Sequence, residues 1–402
     1  MNNSGRDTLN GVSDLDVIVA GAGPAGAIAA RDLARGGAHV ALVDGSFPRE
    51  KPCGGGVTAR ALALIGPEMP EIGPFGRTVH AVRFQADRGA AEVDLEPGAE
   101  LEVFSRETFD GALLKLAIST GACHATSRVR AISREGGGWC VDLANGECLR
   151  APWLLGADGA GGPVRRKVFR AFERRHLSIA AGSYVDGAEC HEIVIGFVEH
   201  PRGYLWSFPR PGHLAVGACA QADEASTAEM HAITDRWLDT YPAAAGLPRR
   251  RYAWPIPSLD THDLDCERPS GPRWMLLGDA AGLVDPITRE GIYFAIRSGM
   301  LAAQSLLGAD GAREYDGAIR DEIHTELRRA AALKAGFFRP RFTRLLIQAL
   351  NTSPGIRAVM ADLVAGRQPY RGLKRRLLGT LEFGLMLRTL LTAPGTRRAR
   401  GR

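Results

Sequence analysis

The sequence predicts an α/β protein: a Rossmann-type nucleotide-binding domain, an antiparallel β-sheet inserted into it, and a helical C-terminal region. Three observations carry this. A short apolar strand near the N-terminus runs into a glycine-rich turn and then a helix. Two later apolar runs end in Asp-Gly and Gly-Asp turns. Between them lie short segments in which apolar and polar residues alternate.

The first unit is the most specific. Asp16-Val17-Ile18-Val19-Ala20 reads as a buried strand, and Gly21-Ala22-Gly23-Pro24-Ala25-Gly26 fits GxGxxG. The first glycine permits the tight turn, the second lets backbone approach a pyrophosphate, and the third lets helix pack on strand. The helix then runs through Ile28 and Leu33 to Gly36-Gly37, and its N-terminus offers unpaired N–H groups to phosphate. Asp44 closes the next strand, His39 to Val43, about 20 residues past the turn, where an acid can accept bonds from ribose hydroxyls. Strand, turn, helix, strand and acid in this order predict dinucleotide binding.

Further along, Leu154-Leu155-Gly156-Ala157-Asp158-Gly159 and Trp274-Met275-Leu276-Leu277-Gly278-Asp279 are apolar strands ending in turns. Pro286 to Ile292 is expected to open a long helix through Ala303. Segments 79–104 and 125–154 alternate, and four more strands are expected at 178–185, 192–198, 204–208 and 214–220. The expected organisation is a loose arm over 1–13 and a nucleotide-binding domain over 14–80, 100–178 and 265–310. A sheet domain over 81–99 and 179–264 and a helical region over 311–402 complete it.

These motifs resemble the flavoprotein monooxygenase superfamily with the p-hydroxybenzoate hydroxylase fold, and within it the geranylgeranyl reductase family. Lys51-Pro52-Cys53-Gly54-Gly55-Gly56, Gly203-Tyr204-Leu205-Trp206-Ser207-Phe208-Pro209 and Asp285-Pro286-Ile287-Thr288-Arg289-Glu290-Gly291-Ile292-Tyr293 carry the narrower likeness, which spans about residues 14 to 310. The resemblance implies FAD as cofactor. Gly21, Gly23 and Gly26, with Pro24 and Ala25, would hold its pyrophosphate and Asp44 its adenosine ribose. Arg106 would contact phosphate or ribitol, and Asp158, Gly278 and Asp279 belong to the other two FAD signatures. N–H groups near Gly291 and Ile292 would face the flavin pyrimidine edge. Cys53 and Gly54 would pass beside the flavin ring, with Cys53 near the reaction centre, and Tyr204, Trp206 and Phe208 would line an apolar tunnel. NAD(P)H, without a Rossmann domain of its own, or another reductant would supply electrons. The resemblance implies glycine at the position where this chain has Arg289. A cation there serves the reduced flavin, an acidic substrate head, or only solvent.

The implied reaction is saturation of carbon–carbon double bonds in an isoprenoid chain on a lipid, quinone or related compound. An isolated trisubstituted alkene accepts hydride poorly, so a proton donor must stand opposite the flavin and water must be excluded. Cys53 is the candidate donor. Two alternatives stay open on the FAD motifs: a monooxygenase acting on an aromatic or isoprenoid substrate, and a prenyl-binding carrier without redox chemistry.

Composition bounds the rest. Apolar residues are 45% and charged residues 24%, ordinary for a globular chain. A net charge of +5 over 402 residues gives no footprint for nucleic acid. Residues 367–402 hold ten Lys or Arg and one acid, a local +9, so the remainder is −4. Leu373 to Thr392 mixes leucines with Lys374, Arg375, Arg376 and Arg388. It reads either as a packing helix with a basic face or as a helix lying on an anionic membrane. Seven cysteines without CxxC spacing point to a reducing compartment, and the six besides Cys53 are expected in the core. No histidine spacing suggests a metal site, and no apolar run is long enough to span a bilayer. The expected location is the cytoplasm, with peripheral contact at the inner membrane face if the tail binds lipid. Substrate identity and oligomeric state are not readable from the sequence.

Overall fold

The strands Val17–Ala20, Val40–Val43 and Trp153–Gly156 are continuous apolar runs, nearly all of whose side chains are buried, as in a parallel sheet covered on both faces. In the computed structural model, which describes residues 14–68, 75–87, 89–308 and 311–380, they form the middle of a six-stranded sheet. Its order is Ser270–Gly271, Trp274–Leu276, Trp153–Gly156, Val17–Ala20, Val40–Val43 and Cys123–Ala125. All pairings are parallel except the outer one of Ser270–Gly271. The α/β fold class expected from sequence is the one observed.

The helix Pro24–Arg35 packs against the helix Ile292–Leu307 through small residues, and a Cβ on Gly299 would stand 2.4 Å from the Ala25 carbonyl oxygen. The latter helix begins at Ile292, later than expected. Residues 285–290 instead form a turn in which the Asp285 carboxylate accepts the Ile287 and Thr288 N–H groups. A three-stranded antiparallel meander, Val129–Glu135, Gly138–Leu143 and Cys148–Ala151, stands apart from both larger sheets. It gathers Cys140, Asp142 and Cys148 with ligand atoms within 4.8 Å, a grouping the sequence reading did not anticipate.

The second large sheet has seven strands, in the order Arg249–Pro257, Leu177–Asp186, His213–Gln221, Gly203–Arg210, Ile193–Val198, Ala81–Ala86 and Gly89–Asp94. One face buries Leu205, Ala181 and Ala218 under the helix Thr227–Thr240, around Met230. The other carries Phe84, Ile195, Tyr204, Trp206 and Phe208 towards the nucleotide domain and the C-terminal helices. Period-two alternation places these side chains together. A small sheet of Gly56–Thr58, Leu101–Val103 and Arg77–Val79 stands between the two large ones.

The C-terminal region is helical, with Thr325–Phe337, Pro340–Thr352, Pro354–Val364 and Leu373–Gly379. Phe338, Leu346, Leu350 and Met360 share one core with Val82 and Val93 of the seven-stranded sheet. The expected basic helix is present over Leu373–Gly379, and its continuation from 381 lies outside the described residues, as does the arm over 1–13. No helix among the described residues is long and apolar enough to cross a membrane. All seven cysteines are free. Contrary to expectation, Cys266 is exposed and Cys123 and Cys148 are half-buried, because their strands and helix lie at the rim of the fold.

Candidate active site

The glycine turn is built as its motif demands. Gly21 has φ +103°, and a Cβ there would lie 2.3 Å from the Ala157 carbonyl oxygen. A Cβ on Gly26 would lie 1.9 Å from the Gly21 oxygen. Gly23 differs: the nearest atom to its Cβ position is a Phe47 ring carbon at 3.7 Å. Nothing in the protein itself requires glycine there, so the space serves something that lies over the turn.

A cavity of about 430 Å³ runs from this turn to the C-terminal helices. Pro24, Cys53, Gly54, Arg106, Asp279, Gly291 and Ile292 line its nucleotide end, and Tyr204, Trp206 and Phe208 its sheet wall. Ten of the residues singled out from sequence therefore meet around one space. Asp44, Asp158 and Gly278 do not line it. Asp44 accepts the Ala22 N–H at 3.1 Å and the Ser46 N–H at 2.8 Å, which ties the end of its strand to the glycine turn. Asp158 accepts the Val164 N–H at 2.8 Å at the start of the helix Pro163–Val168, and burial pushes its carboxyl up to about 6. Gly278 is buried at φ +53°, against Ala25 and Ala295. Ala25 is buried in the first turn of its helix.

FAD fits these residues. Neither the helix Pro24–Arg35 nor the helix Ile292–Leu307 has a capping side chain, and both N-termini open on the cavity. Each offers N–H groups and a partial positive charge, the first suited to phosphate and the second to the electron-rich edge of a reduced flavin. Lys51 lies at the same end, its Nζ 3.0 Å from Asp279.

Residues 14–310 match the family model described as FAD binding domain. Menaquinone reductase of Mycobacterium tuberculosis is 30% identical over 364 residues, 81% of this chain and 85% of its own. Geranylgeranyl diphosphate reductase of Rhodobacter capsulatus is 28% identical, over 73% of this chain and 75% of its own. This chain belongs to the geranylgeranyl reductase family of FAD-dependent oxidoreductases. A crystal structure of a geranylgeranyl bacteriochlorophyll reductase-like protein from Thermoplasma acidophilum superposes with a TM-score of 0.75 at 23% identity, over 91% of this chain and 98% of that one. A flavin-dependent brominase has the same fold, with a TM-score of 0.66 at 18% identity, over 91% of this chain and 99% of that one.

In this flavoprotein the Cys53 loop is shaped by the protein more than a glycine run alone suggests. Cβ atoms on Gly54 and Gly56 would stand 2.8 and 2.7 Å from the Phe208 ring, so one side of the loop packs closely on that ring. Gly55 has φ +87° and passes close to the Phe104 carbonyl. The Cys53 sulfur accepts the Gly55 N–H at 3.3 Å.

The sequence reading missed the residue that fixes this loop. Arg210 is fully buried; its Nη2 donates to the Cys53 carbonyl at 2.6 Å and its Nε to the Gly54 carbonyl at 3.0 Å. Its Nη1 pairs with Glu50. Glu50 also accepts the Ser105 hydroxyl at 2.6 Å and the Arg106 N–H at 3.0 Å. Burial alone would raise the Glu50 carboxyl, but Arg210 and these donors hold it below the usual range. The signal was available: 204, 206, 208 and 210 share one face of a strand, so the aromatic row continues into Arg210. Arg106 is committed to Asp110 through two bonds of 2.9 and 2.8 Å, and the carboxylate outweighs the lowering effect of burial on its guanidinium.

The far end of the cavity was also unforeseen. Phe337 and Phe338 face the sheet, with the Phe338 ring stacked on Tyr204 at 6.2 Å. The Tyr204 hydroxyl donates to the Thr288 carbonyl at 2.9 Å. Glu290 pairs with Arg60 and accepts the Thr58 hydroxyl at 3.1 Å, and burial raises its carboxyl against the pull of Arg60.

Proposed function

We propose that this FAD-dependent oxidoreductase saturates carbon–carbon double bonds of an isoprenoid chain carried on a lipid, a quinone or a related prenylated compound. The observation that carries the reading is the shape and lining of the cavity. A largely apolar cavity extends from the FAD end, past Cys53, under the aromatic face of the seven-stranded sheet to Leu327, Met360 and Leu363 of the C-terminal helices. A flexible hydrocarbon chain matches such a wall; its walls offer dispersion contacts along the whole length and few directional bonds. The names of the relatives, reductases of menaquinone and of geranylgeranyl compounds, point the same way.

When bound and reduced, FAD supplies the hydride. The chain's own residues do the rest. Tyr204, Trp206 and Phe208 hold the alkene and keep water from it. Cys53 stands on the cavity wall, and its thiol delivers the proton to the carbon that does not receive hydride. Arg210 and Glu50 hold the Cys53 backbone, so the sulfur keeps its place while the chain slides. The helix start at Gly291 and Ile292 has no capping side chain, and its N–H dipoles would stabilise negative charge on the reduced cofactor.

The test is product mass. Purified protein, reduced chemically under limited oxygen, is given prenyl lipids and quinones. A gain of about 2 Da per event supports the reading, and a gain of about 16 Da assigns oxygenation instead. Cys53→Ala retaining full turnover would remove the thiol from the mechanism while leaving the reductase intact.

A further inference from the structure

Arg289 is unexplained by the site described so far. It is one of two non-glycine residues among those described with positive φ, at +60°. A left-handed backbone is costly for a side chain of this kind and persists only where its surroundings impose it. Here they do. The Asp285 carbonyl accepts the Arg289 N–H at 2.9 Å, the Glu290 carbonyl accepts the Asp285 N–H at 3.0 Å, and Tyr204 clamps Thr288 from the sheet. The turn holds Arg289 where its side chain lines the cavity.

The guanidinium is also short of partners. Its Nη1 donates to the Pro286 carbonyl, but its Nε is buried and bonded to nothing. No carboxylate among the described residues lies within 4.0 Å of it. The acids of its own turn are engaged: Glu290 with Arg60 and Thr58, Asp285 with the N–H groups of Ile287 and Thr288. The groups that feel its charge are Tyr204, Cys219 and Lys334, from the sheet and the helix Thr325–Phe337. So the side chain points to the sheet side of the cavity. Lys334 brings a second cation to the same region, and its Nζ is spent on Gln221 and on the carbonyl and hydroxyl of Ser258. A half-buried cation with no carboxylate partner and a buried, unfilled Nε, beside another cation and in a strained turn, is suited to receive an anion.

We propose that Arg289 forms an oxyanion subsite in the cavity wall and selects substrates whose apolar chain carries an acidic head, a phosphate or a carboxylate. The proposal rests on the isoprenoid reading for the nature of the chain; the head is assigned by Arg289 itself. The guanidinium fork suits both head groups, since each presents paired oxygens to two N–H donors. The subsite lies on the sheet side of the Asp285–Glu290 turn, whereas the N–H groups of Gly291 and Ile292 lie at its other end, so one short segment separates the contact to the substrate head from the contact to the cofactor.

The experiment compares three probes of one chain length, farnesyl monophosphate, farnesoic acid and farnesol. Each is titrated into FAD-loaded protein, and affinity is read from tryptophan fluorescence. The protein prefers at least one acidic probe over farnesol by about tenfold or more, the scale of one charge-assisted bond. The preferred acid names the head. In Arg289→Gly and Arg289→Gln that preference shrinks to about threefold or less. Glycine suits the left-handed turn and glutamine keeps most of the side-chain volume, so loss of preference in both variants is not a folding effect; their melting temperatures are read alongside. No preference in the parent protein, or a preference that survives in both variants, overturns the proposal. A shifted flavin midpoint potential with the preference intact also overturns it, by assigning the cation to the cofactor. Failure of the reductase reading shows separately, as absence of the 2 Da product, and leaves the binding ratios as they are.

Discussion

Arg210→Met removes the clamp behind the Cys53 loop. The side chain is fully buried and its Glu50 partner mostly so, with side-chain exposures of 0% and 15%. Breaking one side of a buried ion pair costs about 3–5 kcal/mol. Glu50 keeps the Ser105 hydroxyl and the Arg106 N–H, which favours the lower end. The Cys53 and Gly54 carbonyls lose charged donors, adding about 1 kcal/mol each. These losses share one cause, so the expected total is about 4 kcal/mol rather than their sum. Urea unfolding of the FAD-loaded protein, followed by tryptophan fluorescence, measures it. Glu50→Gln and the double variant complete a cycle, and the two changes together should cost at least about 1.5 kcal/mol less than their sum. Acid sensitivity gives a second readout. Glu50 is held below the ordinary carboxyl range, so its contribution is complete above about pH 4.3 and is lost as pH falls through its folded value. In Arg210→Met that acid-side loss shrinks. Arg210→Lys restores charge without the planar fork and recovers only part of the stability. A cost below about 1 kcal/mol, or strict additivity with Glu50→Gln, would refute the clamp.

Three further expectations follow from single positions. Gly23→Ala brings its methyl only into ordinary contact with Phe47, at 3.7 Å, and leaves the fold intact, but weakens FAD binding by about tenfold or more; Gly26→Ala, 1.9 Å from the Gly21 oxygen, disrupts the turn itself. Equal FAD affinity for Gly23→Ala and the parent, measured by equilibrium dialysis, would show that the pyrophosphate lies elsewhere. The Asp158 carboxyl, raised to about 6 by burial, binds its proton more tightly in the folded than in the unfolded chain, so apo-protein stability falls as pH rises from about 4 to 6. Asp158→Asn keeps the acceptor for Val164 and should stabilise the apo protein by about 2 kcal/mol at pH 7.5 and by almost nothing at pH 4; denaturant melts at the two values decide it. Leu363→Trp narrows the helical end of the cavity, so turnover of long prenyl chains should fall at least about tenfold more than that of short ones, with FAD content unchanged. Equal losses for both lengths would show that the chain does not reach this end.

How much of this was legible depended on what each feature is made of. The nucleotide end is encoded locally. Gly21 and Gly26 sit where backbone meets backbone, at distances that admit no Cβ, so composition and spacing reveal them without knowledge of the rest of the chain. The aromatic row at 204, 206 and 208 was legible for a similar reason, since strand periodicity puts alternate residues on one face. What escaped was long-range. Arg210 and Glu50 are 160 residues apart, and Glu290 reaches Arg60 across 230. Nothing in either local sequence marks its partner. Phe337 and Phe338 read as ordinary apolar positions of a helix, and only the packing of the C-terminal region against the sheet turns them into a cavity wall. The motif at Asp158 gave no hint of its local partner either: the carboxylate accepts the Val164 N–H at the start of the next helix.

The same division explains why the family was readable and the substrate was not. Backbone N–H groups and close glycine contacts make the cofactor end, and they change little when side chains vary. The substrate end is a surface of side chains drawn from the seven-stranded sheet, the turn at 285–290 and the C-terminal helices. Arg289, to which the proposal assigns the choice of head group, stands where the family resemblance implies glycine, in a conformation that glycine would adopt at less cost. A residue held against its own backbone preference, with a buried donor unfilled, costs stability at that position, and its side chain is turned to the cavity. The substrate is therefore to be sought at the departures from the family pattern, and the Arg289 variants test the first of them.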